Sequence, residues 1–288
     1  MRGDAGSMTV LTPRSPAEAL RVFAENPKAL PLAGGTDLMV GWNMGALNGR
    51  SILDLSRLSD WKKIKTVKTG IVIGALATHA EIQKNAILRR YFPLLVSACA
   101  TVGAAQIQNR GTLGGNVANA SPAGDTFPPL AVYDARVHCL GPEGRRAVSI
   151  HDIFTGVKKT SLKSGELIEA IELTFPTSPP TRALFRKVGT RAAQAISKTM
   201  FAGLIWLGKD GVASDVRLAF GSLAPTVRRL RAAEAFLTGR RLDAASAAQT
   251  ADLLAVDVSP IDDIRSTREY RLAASRGLLS RFLEGATR

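Results

Sequence analysis

The chain has 288 residues, 45% hydrophobic and 22% charged, the balance of a globular protein with room for two domains. It has no uninterrupted apolar run of about 18 residues, which argues against a membrane span, and no apolar signal core at its start, where Met8 is an alternative to Met1. The formal charge of +14 invites a nucleic-acid reading, but the basic residues are dispersed (Lys62, Lys63, Lys65 and Lys68; Lys158, Lys159 and Lys163; Arg228, Arg229 and Arg231) without interleaved aromatics, so solvated faces attracting an anionic cofactor or an acidic partner account for it better.

Thr9, Val10 and Leu11 read as a short edge strand. Ser15, Pro16 and Glu18 supply an N-cap, a first-turn proline and the reciprocal glutamate of a capping box, opening a helix that stops before Pro27. Residues 29–32 read as a strand, broken by Ala33-Gly34-Gly35-Thr36-Asp37 and followed by an apolar helix over 38–42. Strand, glycine turn and helix in that order aim backbone N–H groups at a phosphate. The turn lacks the third glycine of the Gly-x-Gly-x-x-Gly dinucleotide pattern, and by itself it reads better as a plain turn.

A strand is expected at 51–55, a charged loop to Lys68, and a glycine-bounded strand at 70–75. Thr78 and Glu81 make a second capping box whose helix runs toward Arg90, and 93–105 reads as one further buried helix. Residues 106–125 follow as a long irregular segment, the kind that carries function in a compact domain. Gly111, Gly114 and Gly115 stand within five positions among small and short polar residues. Such a backbone comes close to another group and leaves N–H groups free to form an anion nest, which suits the diphosphate of a dinucleotide.

Residues 131–140 turn from helical to strand character, and Gly141-Pro142-Glu143-Gly144 returns the chain as a hairpin over 146–150. A short helix starts at His151, and 167–173 alternates as a half-exposed strand would. Pro179 and Pro180 mark a domain boundary within 177–181. Beyond it, strands at 183–188, 201–207 and 215–220 precede helices at 232–237, 244–255 and 268–283, a three-stranded sheet under three helices.

Cys99 and Cys139 are the only cysteines and form no Cys-x-x-Cys pair, so this chain ligates neither a cysteine-bound iron–sulfur cluster nor a four-cysteine zinc ion. Such sparse usage suits a reducing, cytoplasmic compartment. His79, His138 and His151 are not spaced as metal ligands or with a nucleophile, so no catalytic side chain and no metal site is assigned.

Two motifs, Leu32-Ala33-Gly34-Gly35-Thr36-Asp37 and Thr112-Leu113-Gly114-Gly115-Asn116-Val117-Ala118-Asn119-Ala120-Ser121-Pro122-Ala123-Gly124-Asp125, resemble those of the flavin-binding medium subunits of the molybdenum hydroxylases, including carbon monoxide dehydrogenase and bacterial xanthine dehydrogenases. Weaker support comes from 187–191, 221–226 and 259–265, in the family's order. The resemblance implies an α+β chain. A two-lobed FAD-binding fold of the vanillyl-alcohol-oxidase (PCMH) type covers 1–178, in lobes of about 1–60 and 61–178. A small domain of the carbon monoxide dehydrogenase flavoprotein C-terminal type covers 182–286. It further implies FAD lying between the lobes, an iron–sulfur small subunit with 2Fe–2S clusters, a molybdopterin large subunit, a dimer of such heterotrimers, and NAD or another electron acceptor.

Carried over residue by residue, the resemblance places the cofactor along Leu30, Pro31, Leu32, Ala33, Gly34, Gly35, Thr36 and Asp37. The N–H groups of 33–37 would meet diphosphate oxygens, with the Thr36 hydroxyl as a further donor. Thr112, Leu113, Gly114 and Gly115 complete the clamp, and Asn116 makes an in-plane polar contact. Asp125 would accept from adenosine ribose hydroxyls, against the alternative of a turn residue. The Ile168 backbone approaches the adenine, against that of an ordinary strand residue. Lys187 lies near the flavin, where a cation favours the reduced anion, against that of a solvated lysine. The run from Arg191 to Lys198 resembles the xanthine or purine branch. Carbon monoxide, an aldehyde or an N-heterocycle are alternative substrates. A stand-alone flavin reductase on the same fold is a reading of another class, for which no substrate-side acid or base stands out.

Overall fold

The computed structural model describes residues 3–285. The expected domain limits at Met1 and Ala286, and Met1 as a start, lie outside the described residues. In the first lobe β1 (Thr9–Leu11), β2 (Leu30–Leu32) and β3 (Ser51–Asp54) pair in parallel in the order β1-β3-β2. Parallel pairing needs crossovers, and α1 (Pro16–Glu25) and α2 (Leu38–Asn43) provide helices within them. Ser15 caps α1 as expected, but Glu18 accepts from the Arg14 N–H at 2.7 Å, so the box is only half formed.

The second lobe is a five-stranded antiparallel sheet with helices packed on it. Its first strands are β4 (Ile64–Val67) and β5 (Gly70–Gly74). The helices α3 (His79–Lys84), α4 (Ala86–Tyr91), α5 (Pro93–Cys99), α6 (Ala105–Gln108), α7 (Leu113–Asn119) and α8 (Phe127–Val132) follow. Then come β6 (Arg136–Gly141), β7 (Gly144–Ser149), α9 (Ile150–Ile153), the small hairpin β8 (Phe154–Gly156) with β9 (Lys159–Thr160), and β10 (Leu167–Thr174). The sheet order is β4-β5-β10-β6-β7.

Five details differ from the sequence reading. The charged loop after Leu55 contains β4, an edge strand in which Lys65, Thr66 and Val67 are exposed, and the Lys65 charge suits an unpaired edge. The helix from Thr78 breaks at Asn85, whose side chain caps α4 by accepting from the Leu88 N–H at 3.0 Å. The helix from Pro93 ends at Cys99, because Gly103 takes a left-handed φ of 54° and Ala104 is extended. The supposedly irregular 106–125 holds α7, with Thr112 as N-cap and Leu113 and Val117 fully buried; that burial outweighs the poor helix propensity of two glycines. Finally, β10 does not alternate strictly: a bulge after Ile168 shifts its register, so Ala170 is buried beside Ile171, while Glu169 and Glu172 stay half-buried and Thr174 is exposed.

Past residues 177–181, β11 (Arg182–Val188), β12 (Thr199–Leu207) and β13 (Ala213–Gly221) form the expected antiparallel sheet, which gains a two-residue fourth strand, β14 (Arg228–Arg229). The helices α10 (Arg231–Leu237), α11 (Ala244–Asp257) and α12 (Arg268–Glu284) cover one face. Ala202, Leu204 and Ala219 on the other face join the core of the second lobe, so β12 lacks a solvent side. Gly203 has no side chain because Phe282 occupies that space, with a Cβ falling 2.6 Å from its ring. No helix among the described residues is long and apolar enough to cross a membrane.

Candidate functional site

The two glycine motifs, separated by some eighty positions, meet back to back. A Cβ on Gly34 would lie 1.9 Å from the Arg110 carbonyl oxygen, so the first motif rests directly on the backbone leading into the second. Gly35 adopts a φ of 75°, a conformation that glycine accepts without strain. Ala33 and Gly115 face each other across the junction, and the Thr36 hydroxyl lies beside Gly111. The N–H groups of Gly34, Gly35, Thr36 and Asp37 donate to no acceptor among the described residues. Four consecutive donors without a protein partner have the chemistry that an anion nest requires. A cleft of about 140 Å³ opens here, lined by Ala33, Gly34 and Thr112 and by the basic side chains of Lys62 and Arg110.

The second motif contributes differently. The N–H groups of Leu113 and Gly114 bond the carbonyls of Ala77 and Ala75 at 3.0 and 2.9 Å, and that of Gly115 bonds the Thr112 hydroxyl at 3.0 Å. Only the Thr112 N–H remains unpaired along this turn. Gly114 permits close packing, since a Cβ there would fall 2.5 Å from that of Ala75. The Asn116 side chain accepts from the Thr126 hydroxyl at 2.6 Å, which fixes its amide plane and leaves its NH₂ as a donor.

Asp125, in the loop between α7 and α8, and Lys187, on β11, are brought together. The Lys187 ammonium lies 2.5 Å from Asp125 Oδ2 and 3.0 Å from the Thr101 carbonyl oxygen, and the Thr101 hydroxyl also reaches Oδ2 at 3.3 Å. Lys187 is therefore a buried, paired lysine. Burial pushes the Asp125 carboxyl up to about 6, against the pull of the Lys187 charge and the Lys187 and Thr101 hydrogen bonds. Its other oxygen, Oδ1, is buried without a partner. A buried acceptor left unpaired is costly, so this atom awaits a donor.

The remaining candidates have the following settings. Leu30, Pro31 and Leu32 deliver the chain to the first nest along β2. Ile168 precedes a bulge in β10 with its side chain in the core, which leaves only its backbone for a ligand. The histidines have structural settings: His79 is buried against Cys99 at 3.4 Å, and that burial holds its pKa near 4, so it is neutral. His138 pairs with Glu172 and His151 with Asp134.

Similarity to known proteins places the chain in a family. Residues 6–176 match the family described as FAD binding domain in molybdopterin dehydrogenase, and 184–286 match the CO dehydrogenase flavoprotein C-terminal domain. The chain belongs to the FAD-binding medium subunits of the molybdenum hydroxylases. Among its relatives, the xanthine dehydrogenase FAD-binding subunit of Escherichia coli O157:H7 is 32% identical over 259 residues, 89% of this chain and 88% of the relative. The glyceraldehyde dehydrogenase medium chain of Sulfolobus acidocaldarius is 30% identical over 254 residues, 88% and 89% of the two chains. Carbon monoxide dehydrogenase from Hydrogenophaga pseudoflava superposes with a TM-score of 0.92 at 25% identity, covering 99% of this chain and 98% of that one.

The residues present suit FAD. Unpaired N–H groups in a basic setting match a diphosphate, and the unpartnered oxygen of Asp125 matches a hydroxyl donor. This medium subunit also contains functional candidates that the sequence reading missed. Thr101 completes the Asp125 pair, and Asn119 and Lys158 contact Asp37. Neither local composition nor spacing marks them, because their partners lie 24 to 121 positions away.

Proposed function

We propose that this subunit holds FAD through 30–37 and 112–116, with Asp125, Ile168 and Lys187 as further contacts, and takes electrons from a 2Fe–2S cluster on a small partner subunit. NAD or another acceptor removes them, and a molybdopterin large subunit oxidises the substrate, within a cytoplasmic dimer of heterotrimers. When bound, FAD supplies the electron-transfer chemistry. The chain's own residues bind its diphosphate, satisfy its hydroxyls and place the Lys187–Asp125 pair beside it. We assign 1–178 to the two-lobed FAD domain and 182–286 to the C-terminal domain. The xanthine dehydrogenase relative and the Arg191–Lys198 run favour a purine substrate.

The observation that carries this reading is the row of four N–H groups, unpaired among the described residues, that begins at Gly34 in the lining of a cleft with Lys62 and Arg110, at the junction of two glycine motifs. The full chain, purified and supplied with FAD, should be yellow, with flavin absorbance near about 450 nm. A colourless chain that takes up no added FAD would overturn the reading. Coexpression with the two partner subunits should give one complex that reduces NAD with a purine substrate; a different substrate profile would reassign the branch alone.

A further inference from the structure

We propose that Lys158 is a positioning residue of the diphosphate clamp, tying Asp37 to Asn119 and masking the Asp37 carboxylate beside the free N–H groups. This deepens the FAD reading and rests on it. Asp37 ends the first motif and Asn119 ends α7, the helix that carries the second half of the clamp in its first turn. The Asn119 amide donates to Asp37 Oδ1 at 3.1 Å. The Lys158 ammonium donates to Asn119 Oδ1 and lies 3.5 Å from Asp37 Oδ1, closing a three-residue bridge.

The backbone beside that bridge is left-handed at two points. Lys158 has a φ of 56°, and its N–H donates at 3.0 Å to the carbonyl of Ala120, which itself has a φ of 46°. Two non-glycine residues in the left-handed region thus meet where α7 leaves the clamp, an arrangement that the surrounding structure must maintain. The hairpin carrying Lys158 is anchored below by Phe154, whose ring lies 4.4 Å from that of Phe127. Electrostatics supply the reason. A carboxylate at the end of four free N–H groups competes for them and repels a diphosphate, and the ammonium offsets that charge. Asp37 is 64% exposed and Lys158 50%, so solvent screens the effect and it is moderate.

The test titrates the deflavinated full chain with FAD and, separately, with ADP, following flavin fluorescence and heat of binding. Lys158→Met should weaken both ligands roughly three- to ten-fold, and the loss should shrink at about 0.5 M salt. Lys158→Arg should bind like the parent. Adding Asp37→Asn to Lys158→Met should restore most of the affinity, which a purely structural role would not allow. Lys158→Gly accepts the left-handed φ, so it should melt no lower than the parent yet bind as weakly as Lys158→Met. Parent-like affinity in Lys158→Met, weakening for FAD but not ADP, or no restoration by Asp37→Asn would each overturn the role of Lys158. A parent chain that binds neither ligand would instead overturn the cofactor reading.

Discussion

At the residue scale, Gly34 and the Asp125–Lys187 pair show two ways in which a site constrains its residues. A methyl at Gly34 has no room beside the Arg110 carbonyl, so Gly34→Ala must separate the two motifs. Its expected outcome is loss of flavin from the purified chain, read as the ratio of flavin to protein absorbance, with a lower Tm. Asp125 makes a prediction in pH. Its folded pKa is raised to about 6, so its contribution favours the folded state below the ordinary carboxylate range and is lost as pH rises through 6. Asp125→Asn should flatten the Tm profile between about pH 4 and 6. Lys187→Met leaves the carboxylate buried alone and should cost about 3–5 kcal/mol by denaturant titration. The glycines were legible in sequence, because a dense run of them has few other uses. The ion pair was not, since its members are 62 positions apart and each has an ordinary surface role available.

Elements follow local rules until packing overrides them. Thr78, Asn85, Thr112 and Asp243 all cap helices by accepting from a backbone N–H three residues on. Helix α7 depends most on its cap, because Gly114 and Gly115 weaken its first turn. Thr112→Ala should therefore cost about 1 kcal/mol and lower Tm by a few degrees in a thermal melt, while the free N–H at position 112 persists. The same helix was invisible to composition. Its glycines read as loop, and the bonds from Leu113 and Gly114 to Ala77 and Ala75, with the burial of Leu113 and Val117, hold it in place. The break at Asn85 was similarly masked, since a continuous helix satisfies the same apolar pattern.

For the whole molecule, the docking of the C-terminal sheet on the second lobe matters most. Apolar contact from Ala202, Leu204 and Ala219 is joined by a polar cluster at Asp134. Arg229, Arg217 and His151 converge on its carboxylate at 2.9, 3.2 and 2.8 Å, and Arg229 also bonds Glu234 and the Ala131 carbonyl. Burial would push the Asp134 carboxyl up, but the His151 hydrogen bond and the two guanidinium charges together hold it below its ordinary value. The contribution is therefore present above the unfolded pKa and lost as pH falls through the folded one. Asp134→Asn should speed hydrogen exchange in β12 and β13 at neutral pH and raise the pH of acid unfolding. Unchanged exchange would mean that apolar packing alone secures the sheet.

Most of the strands and helices, several of the caps and the two glycine motifs follow from the sequence itself, because each depends on residues within a few positions. The motif resemblance also named the cofactor. Tertiary structure decided what those local signals leave open. It put the four free donors at the first motif and occupied those of Leu113, Gly114 and Gly115 in packing. It buried β12 on both faces and broke the alternation of β10 with a bulge. It paired Asp125 with Lys187 and gathered Asp37, Asn119 and Lys158. The physical reason is one of range: dihedral preferences and capping act over a turn, whereas burial and charge pairing act between whichever residues the fold makes neighbours.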